Sequence, residues 1–513
     1  MTGAAAGSAG MPSAPGVPSA PGASSARGAS STGAAPVPQR LTLVLPSTAE
    51  FDSRTYRIAS AAAARGHTVT VLARRKPGLP AEERHPAGYT ILRVPFAAID
   101  GLPMPRLVYG ARVGVRRLHA WRTGSPYRPP TAPGHVAAAG SPPAAAVGAV
   151  ASPAASAAAT PVQGTSPAAS PATTPGQPAH RASLPRRAAA GVVRRLAIPL
   201  TIRSQGRWSR AVAPPADLYH GMAYMGIPIA LGLAKRDHAR VVYDARDIYM
   251  DAANLARMTG PMRTFLARAE RGWARGADRV VTVNRPYAEV MADRFGVPLP
   301  LIVLNCSYRF DPPEPRPRRL HEALGLEEAT RVVLYQGGFS RDRGIEELIE
   351  AIPSVPGAVL VLLGYGVLEE QLRAAAAASL GRVHVLPAVA PTELLAWVAS
   401  ADVIAMPIQP TTLNHRLTTP NKLFEAMAAG VPVVASDLPG MAPIVRETGC
   451  GLVCDPGDPA AIAAALREIL SASPAELDAY RRRARAAAHG TYNWETQVAI
   501  LFEEYGRLTG RPW

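Results

Sequence analysis

Short runs of aliphatic and β-branched residues alternate with longer, helix-compatible stretches over two parts of the chain. In the first part, the run RLTLVLP at 40–46 is followed by the helical pattern RTYRIASAAAARG and by a second apolar run, HTVTVLAR. The same alternation returns at 239–305 with ARVVYDARD, ADRVVTVN and LPLIVLN. A strand, a helix and a second strand in this order predict β-α-β units.

The second part of the chain, 331–457, holds a further series of apolar runs, namely RVVLYQGG, AVLVLLG, RVHVLP, DVIAMPI, VPVVAS and GLVCDPG. Strands that are apolar almost throughout are typical of a parallel sheet that is covered on both faces. A proline-rich, charged stretch, SYRFDPPEPRPRRLHEALGL, separates the two series. The sequence therefore predicts two consecutive α/β domains with a cleft between the carboxyl ends of their strands.

Two segments have a composition that does not support a packed core. Residues 1–39 are mostly Ala, Ser, Gly and Pro with one charge, Arg27, and 129–180 contain no Asp, Glu, Lys or Arg. Such segments bury too little large apolar surface to offset the entropy lost on ordering. We expect a disordered N-terminal tail at 1–39 and a disordered insert at 129–180 in the first domain, both dispensable for chemistry.

The formal net charge of +17 is concentrated in one segment. Between Asp100 and Asp217 there is no acidic residue, whereas arginines are frequent. The chain lacks a module with stacking aromatics and base-reading residues, so nucleic acid is not an expected partner. The stretches 107–122 and 186–199 combine an apolar helical face with arginines, which favours an anionic membrane surface; packing of these faces on the first domain is the alternative.

Further features favour a cytoplasmic protein. The cysteines, Cys306, Cys450 and Cys454, are odd in number and lie in apolar surroundings, which indicates reduced core residues. The N-terminal residues lack a basic and leucine-rich signal pattern, and no run of about 18 apolar residues predicts a membrane span. We therefore expect a cytoplasmic location, with peripheral attachment at the inner face of the membrane if the basic stretches bind lipid.

Three motifs in the second half, in this order, carry a family resemblance: LYQGGFSRDRGIEELIEAI, LLGYGVLEEQL and PNKLFEAMAAGVPVVASDLPG. This half resembles the donor domain of GT-B glycosyltransferases of the family 4 type, and the first half is more loosely similar through DSRTYRIASAAAARGHTVTVLAR, VVYDARDIYMD and ERGWARGADRVVTVN. The resemblance implies two Rossmann-like domains facing a central cleft. It assigns 40–308 to an acceptor domain, 309–320 to a linker, 321–490 to a nucleotide-sugar donor domain and 491–513 to a helix that crosses back to the first domain.

The stretch TTPNK at 418–422 has the features of an anion site. Release of a nucleoside diphosphate builds up negative charge that preorganised donors must stabilise. Pro420 at a predicted helix start, preceded by Thr419, leaves the amide of Asn421 and its neighbours unpaired, and Lys422 adds a positive charge. A solvated lysine in a first helical turn is the alternative.

The stretch GGFSRDRG supplies the second part of the predicted phosphate site. Gly337 and Gly338 follow a strand and allow close approach of the backbone to phosphate, and Arg343, before the helix-opening Gly344, can bind two phosphate oxygens. We assign catalytic roles to Arg343 and Lys422. A surface arginine in a turn is the alternative for Arg343.

The resemblance implies two further donor contacts and one departure. Glu425 matches the second acid of an E-x7-E pattern, which binds the ribose hydroxyls, and Val389 matches the position whose backbone contacts the nucleobase. The first acid of the pattern would fall at residue 417, which is Leu417. The sequence therefore does not indicate which sugar is transferred.

Asp244, Arg246 and Asp247, at a predicted strand end, are candidates for the acceptor or cleft side of the site. The resemblance adds His220 and also Asp52 and Arg54, which match a D-x-R pattern of some relatives and could face the acceptor or the diphosphate. His220 matches the first of a histidine pair in the family, and Met222 stands at the second position. Arg246 stands where relatives often have histidine. A structural ion-pair network is the alternative for the charged residues among them.

Together these features predict a retaining, nucleotide-sugar-dependent glycosyltransferase of the hexosyltransferase type. We expect no metal cofactor, because basic groups neutralise the diphosphate. The partners are a nucleotide sugar and a sugar or lipid-linked acceptor, with a cell-envelope glycan as the expected product if the enzyme works at the membrane. A sugar-nucleotide 2-epimerase of the same fold and a non-catalytic nucleotide-binding module are the alternatives, and Leu417 favours the latter.

Overall fold

The computed structural model describes residues 37–50, 52–96, 184–258 and 260–513. The predicted tail up to residue 36, the predicted insert at 129–180 and the basic stretch at 107–122 lie outside the described residues. The described residues between Pro38 and Trp513 form one compact unit. It contains two sheets, whose strands alternate along the chain with helices.

The first sheet has eight strands in the order β3-β4-β2-β1-β5-β6-β7-β8. All neighbouring strands are parallel except β3 and β4, which are antiparallel. The strands are β1 (Arg40–Val44), β2 (Thr68–Arg74), β3 (Glu82–Arg84), β4 (Thr90–Val94), β5 (Leu218–Met222), β6 (Arg240–Asp244), β7 (Arg279–Thr282) and β8 (Leu301–Ile302). The predicted apolar runs form β1, β2, β6, β7 and the edge strand β8. The central strand β5, the strand β4 and the short polar strand β3 at the other edge were not predicted.

Six α-helices belong to this first domain in the described residues. They are α1 (Ser53–Ala64), α2 (Leu184–Val212), α3 (Ala223–Asp237), α4 (Ala253–Ala256), α5 (Pro261–Gly276) and α6 (Arg285–Phe295), with a 3-10 helix at Tyr249–Asp251. Helix α1 begins after Asp52, whose carboxylate accepts a hydrogen bond from the Thr55 amide. Asn284 caps α6 in the same way. The basic stretch 186–199 lies within α2.

The second sheet has six parallel strands in the order β11-β10-β9-β12-β13-β14. They are β9 (Arg331–Phe339), β10 (Ala358–Gly366), β11 (Val383–Pro387), β12 (Val403–Met406), β13 (Val433–Ser436) and β14 (Gly451–Cys454). All four residues of β12 and of β13 are buried, as expected for strands covered on both faces.

The remaining helices accompany and follow this sheet. They are α7 (Arg319–Leu324), α8 (Ile345–Ala351), α9 (Glu369–Ala378), α10 (Leu394–Val398), α11 (Leu413–Arg416), α12 (Asn421–Ala428), α13 (Ala442–Thr448), α14 (Pro459–Leu470), α15 (Pro474–Gly490) and α16 (Trp494–Thr509), with a 3-10 helix at Ile352–Ser354. Helix α7 begins inside the predicted linker because Leu320 is buried in the second domain's core.

The last helix, α16, packs on the first domain. Its side chains Trp494, Leu501 and Phe502 share a core cluster with Leu41 of β1 and Ile58 of α1. The terminal segment therefore ties the two domains together. The α/β class with two Rossmann-like domains is confirmed.

The described residues also bear on the cysteines and on membrane insertion. Cys306, Cys450 and Cys454 are free thiols, and all three are buried. In the described ranges, no helix combines the length and apolarity that crossing a membrane requires.

Candidate active site between the two domains

A cavity of about 550 Å³ lies where the strand ends of the two sheets face each other. Its lining from the first domain is Arg246, Asp247, Val283 and Asn305. Its lining from the second domain is Gln336, Gly337, Gly338, Arg343, Leu363, Gly364, Tyr365, Ala388, Val389, Leu394, Thr418, Thr419, Pro420, Asn421, Lys422 and Glu425. The size is within the range of small-molecule sites.

The structure brings most of the predicted donor residues into this one cavity. They are Gly337, Gly338, Arg343, Val389, Thr419, Pro420, Asn421, Lys422 and Glu425. Of the predicted first-domain candidates, Arg246 and Asp247 line it. The other predicted residues, Asp52, Arg54, His220, Asp244 and Gly344, do not belong to the lining.

Gly337 and Gly338 form one wall of the cavity, called the glycine wall below, and keep it open. Gly337 and Gly338 lie near the end of β9, and Gly337 has φ +122°. Both are exposed and line the cavity, so their backbone faces it. Gly344, at φ +75°, caps α8, and a side chain there would overlap the carbonyl oxygen of Pro407. Gly344 thus shapes the loop that carries Arg343 and does not itself contact a ligand in the cavity.

The loop before α12 places an open helix N-terminus at the cavity. Pro420 is the cap residue and Asn421 the first helical residue, so the proline stands at the start of the helix. Thr419 is buried; its hydroxyl donates to the Gly440 carbonyl (2.5 Å) and accepts from the Asn284 amide group (3.0 Å). Thr419 therefore holds the loop. The Leu423 amide donates to the Pro420 carbonyl, and the amides of Asn421 and Lys422 at the start of α12 remain available to an anion.

Lys422 is the positive group nearest to the glycine wall. Its ammonium lies 3.5 Å from the ring centre of Tyr335, whose hydroxyl donates to the Gly338 carbonyl (3.0 Å). Burial, and then repulsion from Arg343, lower the pKa of Lys422 well below its ordinary value, although Glu425 opposes the shift. A diphosphate in the cavity would stabilise the charged form of this side chain.

Glu425 lies one turn after Lys422 on α12. Burial raises its pKa, and Arg57, Gln336 and Lys422 oppose that shift. The Gln336 amide donates to Glu425 Oε2 (3.4 Å), and Gln336 Oε1 has no partner in the described part of the chain. Sequence reasoning missed Gln336, although its place directly before the two glycines at the end of β9 was a usable signal.

Asparagines link the two domains around the cavity, and the sequence analysis identified none of these links. The Asn305 side chain donates to Asn421 Oδ1 (2.8 Å) and accepts from Arg57 (3.0 Å). Asn414 of α11 donates to Asp247 (3.1 Å) and accepts from the amide of Ile248 (2.7 Å). These contacts hold the first domain's cavity wall against the donor-side loops.

The first-domain candidates Arg54, His220 and Asp244 form a buried network. They do not line the cavity, so the expectation that they contact a ligand there is corrected. Arg54 Nε lies 2.6 Å from Asp244 Oδ2, and His220 Nε2 lies 3.1 Å from the same oxygen; all three side chains are fully buried. Tyr505 of α16 bonds to His220 Nδ1 (2.5 Å). Burial raises the pKa of Asp244, but Arg54 and His220 outweigh it and hold that pKa well below the usual range.

Arg246 and Asp52 form the second first-domain pair. Two guanidinium nitrogens of Arg246 donate to the two Asp52 oxygens (2.8 and 3.0 Å), and Asp52 also caps α1. Burial acts against the charged form of both groups, but their mutual attraction wins; the pKa of Asp52 is lowered and that of Arg246 is raised. Arg246 is therefore a fixed cation at the cavity edge, while Asp52 acts as its support outside the lining.

Leu417 has an anchoring position. Its side chain packs against the first domain's core cluster, and its carbonyl accepts a hydrogen bond from Asn284 (2.8 Å). Because residue 417 is a leucine and not the expected acid, the carboxylates that line the cavity in the described residues are those of Asp247 and Glu425. In the described ranges, no group of three His, Cys, Asp or Glu side chains has the arrangement of a metal site.

Comparison with known families assigns the second sheet. Residues 330–472 match the family described as Glycosyl transferases group 1. This part of the chain is a glycosyl transferases group 1 domain. It contains the glycine wall, Arg343, Lys422 and Glu425, so the donor side of the cavity lies within the matched region.

Two curated relatives extend over part of the chain. A D-inositol 3-phosphate glycosyltransferase of Xylanimonas cellulosilytica is 29% identical over 46% of this chain and 58% of its own length. A phosphatidyl-myo-inositol mannosyltransferase of Mycobacterium leprae is 32% identical over 36% of this chain and 48% of its own length. The chain thus spans about half the length of the curated relatives it matches.

Solved structures show the fold over nearly the whole chain. Sucrose-phosphate synthase from Thermosynechococcus elongatus superposes with a TM-score of 0.60 at 17% identity, covering 92% of this chain and 99% of that structure. HepE of Anabaena, solved with UDP-glucose, gives a TM-score of 0.55 at 16% identity and covers 92% and 100%. The two-domain architecture is that of the GT-B glycosyltransferases.

Proposed function

We propose that this protein transfers a sugar from a nucleoside diphosphate sugar to an acceptor, by the retaining route. The observation that carries the proposal is the convergence of Arg343, Lys422, the exposed Gly337–Gly338 backbone and the N-terminus of α12 on one cavity. Each of these features favours the binding of an anion. Together they complement the negative charge of a departing diphosphate.

The cavity suggests how the donor lies. The diphosphate contacts the glycine wall, Arg343 and Lys422, while Glu425 accepts hydrogen bonds from the ribose hydroxyls. The nucleobase lies against the strip that contains Ala388 and Val389. The sugar then extends toward Asp247 and Arg246 of the first domain, where an acceptor can enter.

In this proposal the protein holds the donor and the acceptor in place and stabilises the negative charge of the departing diphosphate. Breaking the bond between the sugar and the diphosphate transfers negative charge to the leaving oxygen, which the basic groups hold. We assign no protein base, because the leaving diphosphate can take the acceptor's proton. We also propose that no metal ion is required, since basic groups replace its charge.

The acceptor belongs to the proposal only as a class. The Mycobacterium leprae relative is named for a lipid acceptor, phosphatidyl-myo-inositol. Together with the basic composition of 101–216, this favours a lipid-linked or cell-envelope acceptor at the cytoplasmic membrane face. A non-catalytic nucleotide-binding module is the competing function, and Leu417, at the position of an expected acid, is the observation that favours it.

One experiment separates these functions. The purified protein is incubated with radiolabelled nucleotide sugars, first UDP-glucose, with and without an extract of bacterial membrane lipids. Transfer predicts labelled lipid and an equal amount of released nucleoside diphosphate. A 2-epimerase would alter the sugar nucleotide without any acceptor, and a binding module would retain nucleotide affinity without turnover. Either of these two results would contradict the proposal.

A further inference from the structure

A second cavity, of about 360 Å³, lies within the first domain. The 3-10 helix Tyr249–Asp251 and helices α5 and α6 form it, and it shares no lining residue with the donor cavity. The chain passes from one to the other without a gap, because Arg246 and Asp247 line the donor cavity and Ile248 begins the lining of the second. Nothing in the proposed sugar transfer uses this second cavity.

The walls of the second cavity are apolar, and its edge is basic. Met250, Ala267, Met291 and Phe295 contribute apolar surface. Arg263 and Arg294 also line it, but both are ion-paired with Asp251 (2.9 and 2.5 Å). The other two lining arginines, Arg268 and Arg271, are exposed and have no ion pair in the described residues.

The position of these two arginines suits one shared anion. Arg268 and Arg271 are three residues apart on α5, so their side chains project from the same helical face. An arginine binds an anionic oxygen group through two parallel hydrogen bonds. A cation at this edge would instead be repelled by two unpaired guanidinium groups.

A buried carboxyl group in the wall adds a polar contact. Glu270 is only 3% exposed, and its Oε1 accepts a hydrogen bond from Tyr243 (2.8 Å). Its second oxygen, Oε2, has no partner among the residues that the structure describes, and Glu270 lines the cavity. The hydroxyl of Tyr249, which also lines the cavity, is likewise unpartnered within the described ranges.

Glu270 changes its charge near neutral pH. Burial raises its pKa to about 7; the bond from Tyr243 and the charge of Arg294 oppose the shift, and Asp251 adds to it. The charged groups of α5, α6 and the 3-10 helix around it are Arg263, Arg268, Arg271, Arg294 and Asp251. Below pH 7 Glu270 is mostly protonated and can donate a hydrogen bond.

We propose that this cavity binds an amphiphilic anion, that is, a small molecule with one anionic head on an apolar chain. The chain lies among Met250, Met291 and Phe295. The head meets Arg268 and Arg271, and the protonated Glu270 carboxyl donates one further hydrogen bond from within the wall. This site is separate from the nucleotide-sugar cavity and independent of the proposed transfer.

The test uses 1-octanesulfonate, whose head stays charged at every working pH, with the full-length protein in isothermal titration calorimetry. We expect binding to wild type that is at least about tenfold tighter than that of 1-octanol or methanesulfonate, which carry only the chain or only the head. Binding should continue in the presence of saturating UDP, because the cavities share no lining residue. Displacement by UDP, or equal affinity for 1-octanol, would overturn the proposal.

Variants then locate the site. Arg268→Gln/Arg271→Gln should weaken binding about tenfold, equivalent to about 1.4 kcal/mol, whereas Arg285→Gln/Arg446→Gln, two exposed arginines away from the cavity, should not. Wild type should bind about tenfold more weakly at pH 8 than at pH 6, following the protonated fraction of Glu270. Glu270→Gln, which keeps a hydrogen-bond donor, should bind well at both values. Unchanged affinity in the first double variant, or loss of binding in a folded Glu270→Gln protein, would exclude the assignment.

Discussion

Two groups of charged residues flank the interdomain cavity, and they differ in how their charges are balanced. In the first domain, Arg54, His220 and Asp244 are paired with one another inside the fold, so the charge of Asp244 is balanced by Arg54. In the second domain, Arg343 and Lys422 face a cavity and each other, with no acid close enough to form an ion pair with either among the described residues. Charges that are balanced internally support the fold, whereas charges left unbalanced at a cavity are available to a ligand.

The largest effect should follow from breaking the balanced group. Arg54→Met leaves the fully buried Asp244 without its cation, which should lower the free energy of unfolding by about 3–5 kcal/mol in urea denaturation. The double variant Arg54→Met/Asp244→Leu should recover most of that loss, since it removes both charges. If Arg54→Met instead unfolded like wild type and lost nucleotide affinity, Arg54 would belong to the ligand site.

The next effect should come from the unbalanced group. Arg343→Ala and Lys422→Ala should each lower turnover about 100-fold, because each supplies about 2.7 kcal/mol of charge stabilisation to the departing diphosphate. Stability in urea should remain close to that of wild type. Arg341→Ala is the matched control, since Arg341 is an exposed arginine of the same loop outside the cavity lining. Normal turnover in both cavity variants would remove these residues from the site.

A smaller effect should separate ribose recognition from phosphate binding. Glu425→Gln should weaken UDP binding by about 1.5–3 kcal/mol, the usual contribution of hydrogen bonds to a charged group. Wild type should also prefer UDP to its 2′,3′-dideoxy analogue, and Glu425→Gln should lose most of that preference. Calorimetry with both ligands measures this. A variant that discriminates as well as wild type would show that Glu425 does not contact the ribose.

The fold was largely predictable because its determinants are local. The apolar runs that become β9, β12 and β13 are continuous in sequence, and burial on both faces of a sheet explains their composition. The glycine wall and the open end of α12 were also local patterns. The antiparallel edge strand β3 was not predicted, since three polar residues give no periodic signal.

The parts of the site that sequence reasoning missed depend on contacts between distant segments. Asn305 meets Asn421 across 116 positions, and Asn414 meets Asp247 across 167. Arg54 and Asp244 are 190 positions apart, so the sequence did not show that they are partners. Without that knowledge, either side chain could have faced the cleft or the interior. The ion pair between Arg54 and Asp244 turns both side chains to the interior, and a single sequence does not show which distant residues pair.

The smallest predicted effect concerns protons and tests whether the unbalanced group responds to an anion. Burial, and then the nearby Arg343, hold the pKa of Lys422 well below its ordinary value. A bound diphosphate raises that pKa, so UDP binding should take up a fraction of a proton. The affinity for UDP should therefore fall as the pH rises from the pKa of Lys422 in the free protein to its pKa in the UDP complex. Near pH 8 the diphosphate of UDP is fully ionised and its uracil ring still holds the N3 proton, so UDP itself does not contribute.

Calorimetry in buffers of different ionisation enthalpy measures that uptake directly. Glu425 is the other group near Lys422 whose proton could move, because burial raises its pKa. The comparison that isolates Lys422 is therefore wild type against Lys422→Met, with Glu425→Gln as the control for the acid. Uptake that disappears in Lys422→Met and persists in Glu425→Gln assigns the proton to the lysine. Equal uptake in wild type and Lys422→Met would mean that the diphosphate does not reach the ammonium group.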